Sequence, residues 1–315
     1  MNVKKFTVAA FGELLWDILP SQTVLGGAPF NFAYRVTQLG DLAIPVTRVG
    51  DDELGVKARD QVRSLGVPTD LVQIDSKHPT GTVQVRFDQN QNPDYFIVPD
   101  VAYDYIAWNE QLEMLAGKAD CICFGSLIQR GPVSRRTLYE LLSRSRQSLK
   151  FLDINLRRDC YDPENMQASL ERAHVLKLNE SELHEVGKIF GLPGNTIPEL
   201  TTRVRDAWSL EAVIVTLAER GVFAMSTLHT SVYLPGYRVN VADPVGSGDA
   251  FSAGFLSVWL RGGTLLEACT AGNRIGALVA TQTGGTTLFD KEALDRFEET
   301  YQGRNVEPSL TAHQG

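Results

Sequence analysis

The sequence contains no run of about 20 apolar residues of the kind that spans a bilayer as a helix, so membrane insertion is not expected. Cysteine is scarce. The four present, Cys121, Cys123, Cys160 and Cys269, form no CxxC pair and no zinc-ligand spacing, which suits a reduced, cytoplasmic chain. None of the five histidines, His78, His174, His184, His229 and His313, falls at a metal-ligand spacing either. Basic charge is in deficit: 30 Lys and Arg against 38 Asp and Glu leave a net charge of −8. That balance argues against a nucleic-acid partner. The densest basic stretch, Arg130 to Lys150, is interrupted by apolar residues at helical spacing and reads as the solvated face of a helix. Lys4 and Lys5 precede an apolar run that stops at Gly12-Glu13, too short for a secretory signal and consistent with a buried first strand. There is no internal repeat and no low-complexity region. Residues 304–315 are polar and aperiodic, and are expected to form a mobile tail.

What is present is an apolar fraction of 43%, enough for a sizeable core. Short apolar runs (Phe6 to Phe11, Ile44 to Val49, Cys121 to Phe124, Phe151 to Ile154, Val175 to Leu178, Ala212 to Thr216) alternate with amphipathic stretches such as Phe30 to Leu39 and Gly55 to Leu65. This is the rhythm of an α/β fold, a doubly wound, mainly parallel sheet flanked by helices, expected to form one domain over residues 1–303. Two stretches depart from it. Thr80 to Val98, TGTVQVRFDQNQNPDYFIV, alternates at period two around the turn-rich QNQNP and reads as a hairpin. Glu13 to Val24 does so more weakly around Pro20-Ser21. Segments of about 13–25 and 79–100 would then form a small β-sheet lid, or two edge hairpins without such a role.

The chemistry concentrates in Val239 to Leu260, VNVADPVGSGDAFSAGFLSVWL. Gly246-Ser247-Gly248-Asp249 directly precedes an apolar helical run, and small residues there let backbone N–H groups at a helix N-terminus approach an anion. The same positive field keeps the Asp249 carboxylate ionised, able to take a proton from a hydroxyl beside an incoming phosphoryl group. The competing reading is a simple N-cap and turn. No GxxxxGK[ST] loop occurs in the chain and no GxGxxG follows the first strand, which weakens an ordinary P-loop enzyme and a nicotinamide oxidoreductase.

Asp243 to Phe255, DPVGSGDAFSAGF, resembles the C-terminal signature D-T-x-G-A-G-D-x-F of the ribokinase-like sugar kinases, the PfkB family, with Pro244 in place of the threonine and Ser247 in place of the alanine. Leu25 to Gly40, LGGAPFNFAYRVTQLG, resembles the family's N-terminal Gly-Gly segment in the GGAPxN form of fructokinase-like members. The resemblance implies a ribokinase-like fold and an ATP- and Mg²⁺-dependent sugar kinase acting on a primary hydroxyl. D-fructose is the first-choice substrate, with 2-keto-3-deoxygluconate or ribose as alternatives. A non-catalytic sugar- or nucleotide-binding protein on the same fold is the rival from another class.

The resemblance also implies roles by position. Asp249 would be the base, and the backbone of Gly246, Ser247 and Gly248 the anion hole. Asp17, Gly26, Gly27 and Asn31 would line the sugar pocket; Trp16, like Trp108, Trp208 and Trp259, reads as core, with a sugar contact from the lid side as the alternative. Asp153-Ile154-Asn155-Leu156-Arg157 resembles a D-x-N-x-R strand end that would put Arg157 near phosphates or sugar, against a surface ion pair with Asp159 or Asp162. Asn179-Glu180-Ser181-Glu182 fits the family's N-x-x-E, with Asn179 at the nucleotide and Glu182 acting on Mg²⁺ through water, against a helix cap for Asn179. Thr216 to Gly221, TLAERG, resembles the T-x-G-x-x-G nucleotide loop with Ala218 at a glycine position, and Asn273 matches a position near adenine. A monovalent cation such as K⁺ would be held by carbonyls of Asp243, Val245, Val279, Gln282 and Gly284. Exposed lid edges would offer a homodimer interface.

Overall fold

Where Val, Ile, Leu and Phe run together the chain forms strands buried on both faces, as in CICF at 121–124 and AVIV at 212–215. A computed structural model of the protein describes residues 4–19, 22–87, 93–227, 230–288 and 291–313. Contacts divide the chain into two compact units, Met1–Ser148 with Asp159–Tyr161, and Leu149–Arg158 with Asp162–Gly315.

The first unit contains β1 (Thr7–Phe11), β2 (Leu15–Ile18), β3 (Thr23–Gly26), α1 (Ala28–Gln38), β4 (Leu42–Gly50), α2 (Glu53–Ser64), β5 (Val72–Asp75), β6 (Gly81–Phe87), β7 (Pro93–Ile97), α3 (Glu110–Ala116), β8 (Cys121–Phe124) and α4 (Pro132–Arg144). Strand β1 pairs in parallel with β4 on one side and β8 on the other, and β5 extends the parallel run beyond β4. The two departures from the α/β rhythm combine into one accessory sheet of order β3-β2-β6-β7. Within it β2 is antiparallel to β3 and parallel to β6, while β6 and β7 form the hairpin that the alternation implies. Pro20-Ser21 and Gln89 to Asn92, where turns are expected, lie outside the described residues, as does His229.

The second unit runs through β9 (Leu149–Asp153), α5 (Pro163–Leu170), β10 (Val175–Asn179), α6 (Glu180–Ile189), α7 (Ile197–Trp208), β11 (Ala212–Thr216), β12 (Val222–Ser226), β13 (Ser231–Leu234), β14 (Gly236–Tyr237), α8 (Ser247–Trp259), α9 (Leu265–Ala280), α10 (Lys291–Asp295), α11 (Phe297–Thr300) and β15 (Arg304–Asn305). Strands β9, β10 and β11 are parallel, and β12 and β13 continue antiparallel. The fold is therefore α/β, with a mixed, mainly parallel central sheet flanked by helices and a smaller accessory sheet.

Two expectations are corrected. The basic stretch does not remain helical to Lys150: α4 ends at Arg144, and Lys150 lies in β9 with 9% exposure. Arg304 to His313 are docked rather than forming a mobile tail: β15 pairs antiparallel with β14, Leu310 is 1% exposed, and His313 Nδ1 lies 2.7 Å from Ser231 Oγ. These contacts run through backbone and isolated side chains, so they leave no apolar period in the sequence. All four cysteines are buried and none is in a disulfide, and among the described residues no helix is long and apolar enough to cross a membrane.

Candidate active site

Parallel strands deliver their carboxyl ends to one side of a sheet, where ligands of open α/β folds sit. In the second unit the register aligns Lys177 with Asp153 and Asn179 with Thr216, so D-x-N-x-R, N-x-x-E and the T-x-A-x-x-G loop begin from neighbouring strand ends. Asn179 caps α6, as the structural alternative held. Its Oδ1 accepts from Glu182 N at 2.9 Å while Glu182 Oε2 accepts from Asn179 N at 2.8 Å, a reciprocal capping box. Glu182 Oε1 accepts from Leu156 N at 2.8 Å, so this 8% exposed carboxylate also fixes the loop after β9. Burial pushes the Glu182 pKa above its ordinary 4.5, although the Asn179 and Leu156 amides and the Lys177 ammonium pull the other way. Arg157 follows in that loop, exposed and without an ion pair among the described residues, so the surface pair is not formed.

Gly246 is the N-cap of α8, and its φ of 77° turns the chain into the helix with no side-chain cap. Ser247 N and Oγ both donate to Pro244 O, at 3.2 and 2.7 Å. Gly248 and Asp249 follow in the first turn, where helix geometry gives amides no intrahelical acceptor. The five residues expected at a monovalent cation are drawn together. Asp243 Oδ1 accepts from Val245 N and Oδ2 from Gly284 N, both at 3.0 Å, and Gln282 N donates to Val279 O at 2.9 Å. Gln282 Oε1 is buried with no hydrogen-bond partner among the described residues, a neutral acceptor of the kind an alkali cation takes.

The sequence reading missed Lys177. Its Nζ lies 3.0 and 3.2 Å from the two oxygens of Asp153, and 3.2 Å from where a Cβ on Gly248 would stand. Ser252 Oγ, one turn into α8, lies 2.7 Å from Asp153 Oδ2, to which it donates its one proton, and 3.2 Å from Gly248 O. A buried ion pair thus underlies the Gly246-Ser247-Gly248-Asp249 turn. Burial pushes the ammonium pKa down, but the carboxylates of Asp153, Glu182 and Asp249 outweigh it and Lys177 ends above its ordinary 10.5. The available signal was a lone cation within the apolar run Val175 to Leu178, which when buried needs a carboxylate partner.

In the first unit Asp17 sits on β2 two residues from Leu15, the register partner of Gly26, so Asp17 and Gly26 share a face of the accessory sheet. A Cβ on Gly26 would come within 2.7 Å of Asp17 Oδ2. Gly27 has φ of 113°, and a Cβ there would meet Glu13 O at 2.4 Å, so only glycine serves. Glu13 was also missed: its Oε1 accepts from Ala28 N at 3.2 Å and caps α1, which carries the 6% exposed Asn31. Asp17, Gly26, Gly27 and Asn31 are therefore gathered where β2 and β3 lead into α1. Trp16 lies in the core, as its first reading has it, rather than at the sugar: it points to the opposite face, is 6% exposed, and its indole N–H donates to Leu54 O at 3.0 Å.

Residues 11–292 match the model of the pfkB family carbohydrate kinases. The chain belongs to that family. Among its curated relatives, the fructokinase of Salmonella typhimurium is 29% identical over 92% of this chain and 97% of its own. Among solved structures, fructokinase from Vibrio cholerae O395, bound to fructose, ADP and a calcium ion, superposes with a TM-score of 0.78 at 25% identity, covering 93% of this chain and 98% of that one. Fructokinase from Xylella fastidiosa with bound ATP gives 0.80 at 22% identity over 93% and 98%, a likeness of fold. This pfkB-family chain thus carries both family signatures on elements that bring most of their residues together within each unit.

Proposed function

We propose that the protein transfers the γ-phosphoryl group of ATP to a primary hydroxyl of a sugar, with D-fructose as first candidate. The observation that carries this reading is Asp249 in the first turn of α8, beside the amide of Gly248 and a buried lysine. The Asp249 carboxylate takes the proton from the sugar hydroxyl as that oxygen bonds to the γ-phosphorus. The bond from phosphorus to the bridging oxygen breaks, and its electron pair leaves with ADP. The Gly246-Ser247-Gly248 turn steadies the charge on the transferring group, worth most where donors are already oriented.

Asp17 and Asn31 orient the sugar hydroxyls as acceptor and as mixed donor and acceptor, with Gly26 and Gly27 giving the ring room. Thr216, Gly221, Asn179 and Asn273 hold the nucleotide, and Arg157 is free to reach a phosphate. Magnesium, when bound with ATP, neutralises phosphate charge. Glu182, whose oxygens each already accept an amide, suits contact with it through water rather than as a direct ligand. The loops at 243–245 and 279–284 suit a monovalent cation, with the buried Gln282 Oε1 as an added acceptor. The accessory sheet acts as a lid that excludes water during transfer. Fructose is favoured because full-length relatives carry the name fructokinase and the matched Vibrio cholerae structure holds fructose and ADP.

The test is ADP release from MgATP with fructose, ribose, glucose, mannose, 2-keto-3-deoxygluconate and adenosine. Turnover is expected on fructose, with Asp249→Asn lowering kcat by about 10²- to 10⁴-fold while nucleotide affinity persists. Turnover on another sugar replaces fructose and keeps the kinase. Binding of sugar and ATP without ADP release from any of them favours the non-catalytic reading.

A further inference from the structure

Residues 304–313 belong to none of the family motifs, yet they are tied to the loop proposed to hold the nucleotide. That loop contains a 3-10 turn, Ala218–Arg220, between β11 and β12. Arg220 Nη1 donates to Glu307 Oε2 at 2.7 Å and its Nη2 to Glu180, the first residue of α6. Tyr233 joins the same two partners: its hydroxyl donates to Arg220 O at 3.0 Å and accepts from Glu307 N at 2.5 Å. The rest of the segment is anchored on the β-hairpin beneath. β15 pairs with β14, Arg304 stacks on the Tyr237 ring at 3.6 Å, Leu310 is buried, and His313 meets Ser231 and the Phe223 ring.

The loop needs such support. Ala218 stands where the nucleotide loop usually has glycine, and it adopts φ of 53°, the left-handed region that side chains disfavour. Such a conformation persists only where surrounding contacts over-determine it. Gly221 shows how tightly the loop is held from one side: a Cβ there would lie 1.9 Å from Leu234 O, backbone against backbone. Asn273 Nδ2 donates to Pro235 O at 3.0 Å and fixes that supporting strand. The other side of the loop is held through Arg220.

We infer that the C-terminal segment is a strap that sets the nucleotide loop, with Glu307 as its positioning residue, and that it offsets the alanine at position 218. This rests on the kinase reading above. The strap acts by holding Arg220, and through it the turn at 218–221, in the geometry that the nucleotide meets. It has no part in proton transfer or in sugar binding.

The experiment uses the full chain with Glu307→Gln, Ala218→Gly and the two combined. Glu307→Gln is expected to weaken ADP binding by calorimetry, and to raise KM for ATP, by about three- to tenfold, with kcat and KM for the sugar unchanged. Amide exchange at 217–221 should quicken in the same variant without nucleotide. In the combined variant, glycine at 218 adopts the turn unaided and should return ADP affinity toward that of the wild type. If the wild type binds ADP and Glu307→Gln binds it equally well, the strap is overturned and the kinase reading stands. A defect that spreads equally to kcat and sugar KM, with no rescue by glycine at 218, overturns it in favour of a purely structural role. A wild type that binds neither ATP nor ADP removes the kinase reading, and this inference with it.

Discussion

Replacing Lys177 by methionine would leave the Asp153 side chain with Ser252 as its one remaining hydrogen-bond partner among the described residues. Both side chains are close to buried, at 10% and 12% exposure, so the loss is that of a broken interior pair. Lys177→Met is expected to cost about 3 kcal/mol in urea unfolding, and adding Asp153→Asn should recover part of it, because no uncompensated charge then remains. A loss under about 1 kcal/mol, the range of exposed pairs, would contradict the burial argument. The Lys177 pKa is raised, so its contribution is complete below the ordinary 10.5 and is lost only as pH climbs through the higher folded value; the deficit should be the same at pH 6 and pH 9. The neighbouring Gly246-Ser247-Gly248-Asp249 stands out in the sequence because its proposed chemistry restricts identity: an anion hole at a helix start would need small residues, and a base would need a carboxylate. Lys177 was harder to read: a lone cation in an apolar run signals a buried partner, but which carboxylate it meets follows only from its register with Asp153.

At the level of elements, Asp52 shows how one carboxylate joins two of them. Its side chain caps α2 through Gly55 N at 2.7 Å and also accepts from Thr80 N and Oγ1 at 2.8 and 2.7 Å, pinning the chain just before β6. Burial pushes its pKa up, but the Thr80 hydroxyl and amide and the amides of Gly55 and Leu54 outweigh it, leaving the group below the ordinary 3.8. Asp75, at the end of β5, is lowered in the same balance, with burial opposed by the Lys77 and His78 amides, the His78 ring and Arg48. A lowered carboxylate contributes stability at every pH above its unfolded value, and that contribution disappears as pH falls through the folded one. The acid limb of the urea midpoint should therefore fall below about pH 4, with Asp52→Asn costing about 1 kcal/mol at neutral pH and flattening that limb. An acid limb unchanged by that substitution would remove Asp52 from the account. Strands and capped helices could be read from apolar runs and their punctuation. The docking of Arg304 to His313 could not, because it depends on a two-residue strand, one buried leucine and polar partners far away in sequence.

For the whole molecule, the division into two compact units sorts the proposed ligands. The residues assigned to the sugar, Asp17, Gly26, Gly27 and Asn31, belong to the first unit. Those assigned to the nucleotide and to proton transfer, Asn179, Thr216, Gly221 and Asp249, belong to the second. A ligand stabilises whatever must be folded to bind it, by about 2.7 kcal/mol at one hundred times its Kd, and that gain appears first in the amides around its own contacts. Hydrogen exchange should then separate the two. ADP is expected to slow exchange at the start of α6, at 217–221 and in the first turns of α8, leaving β2, β3 and the start of α1 near their unliganded rates. Fructose alone should protect β2, β3 and the start of α1. Protection of only one unit by both ligands would move one set of binding residues and require the assignments in the other to be withdrawn. If each ligand protects its own unit, Asp249→Asn should keep both patterns, because the base is needed for transfer and for neither binding step.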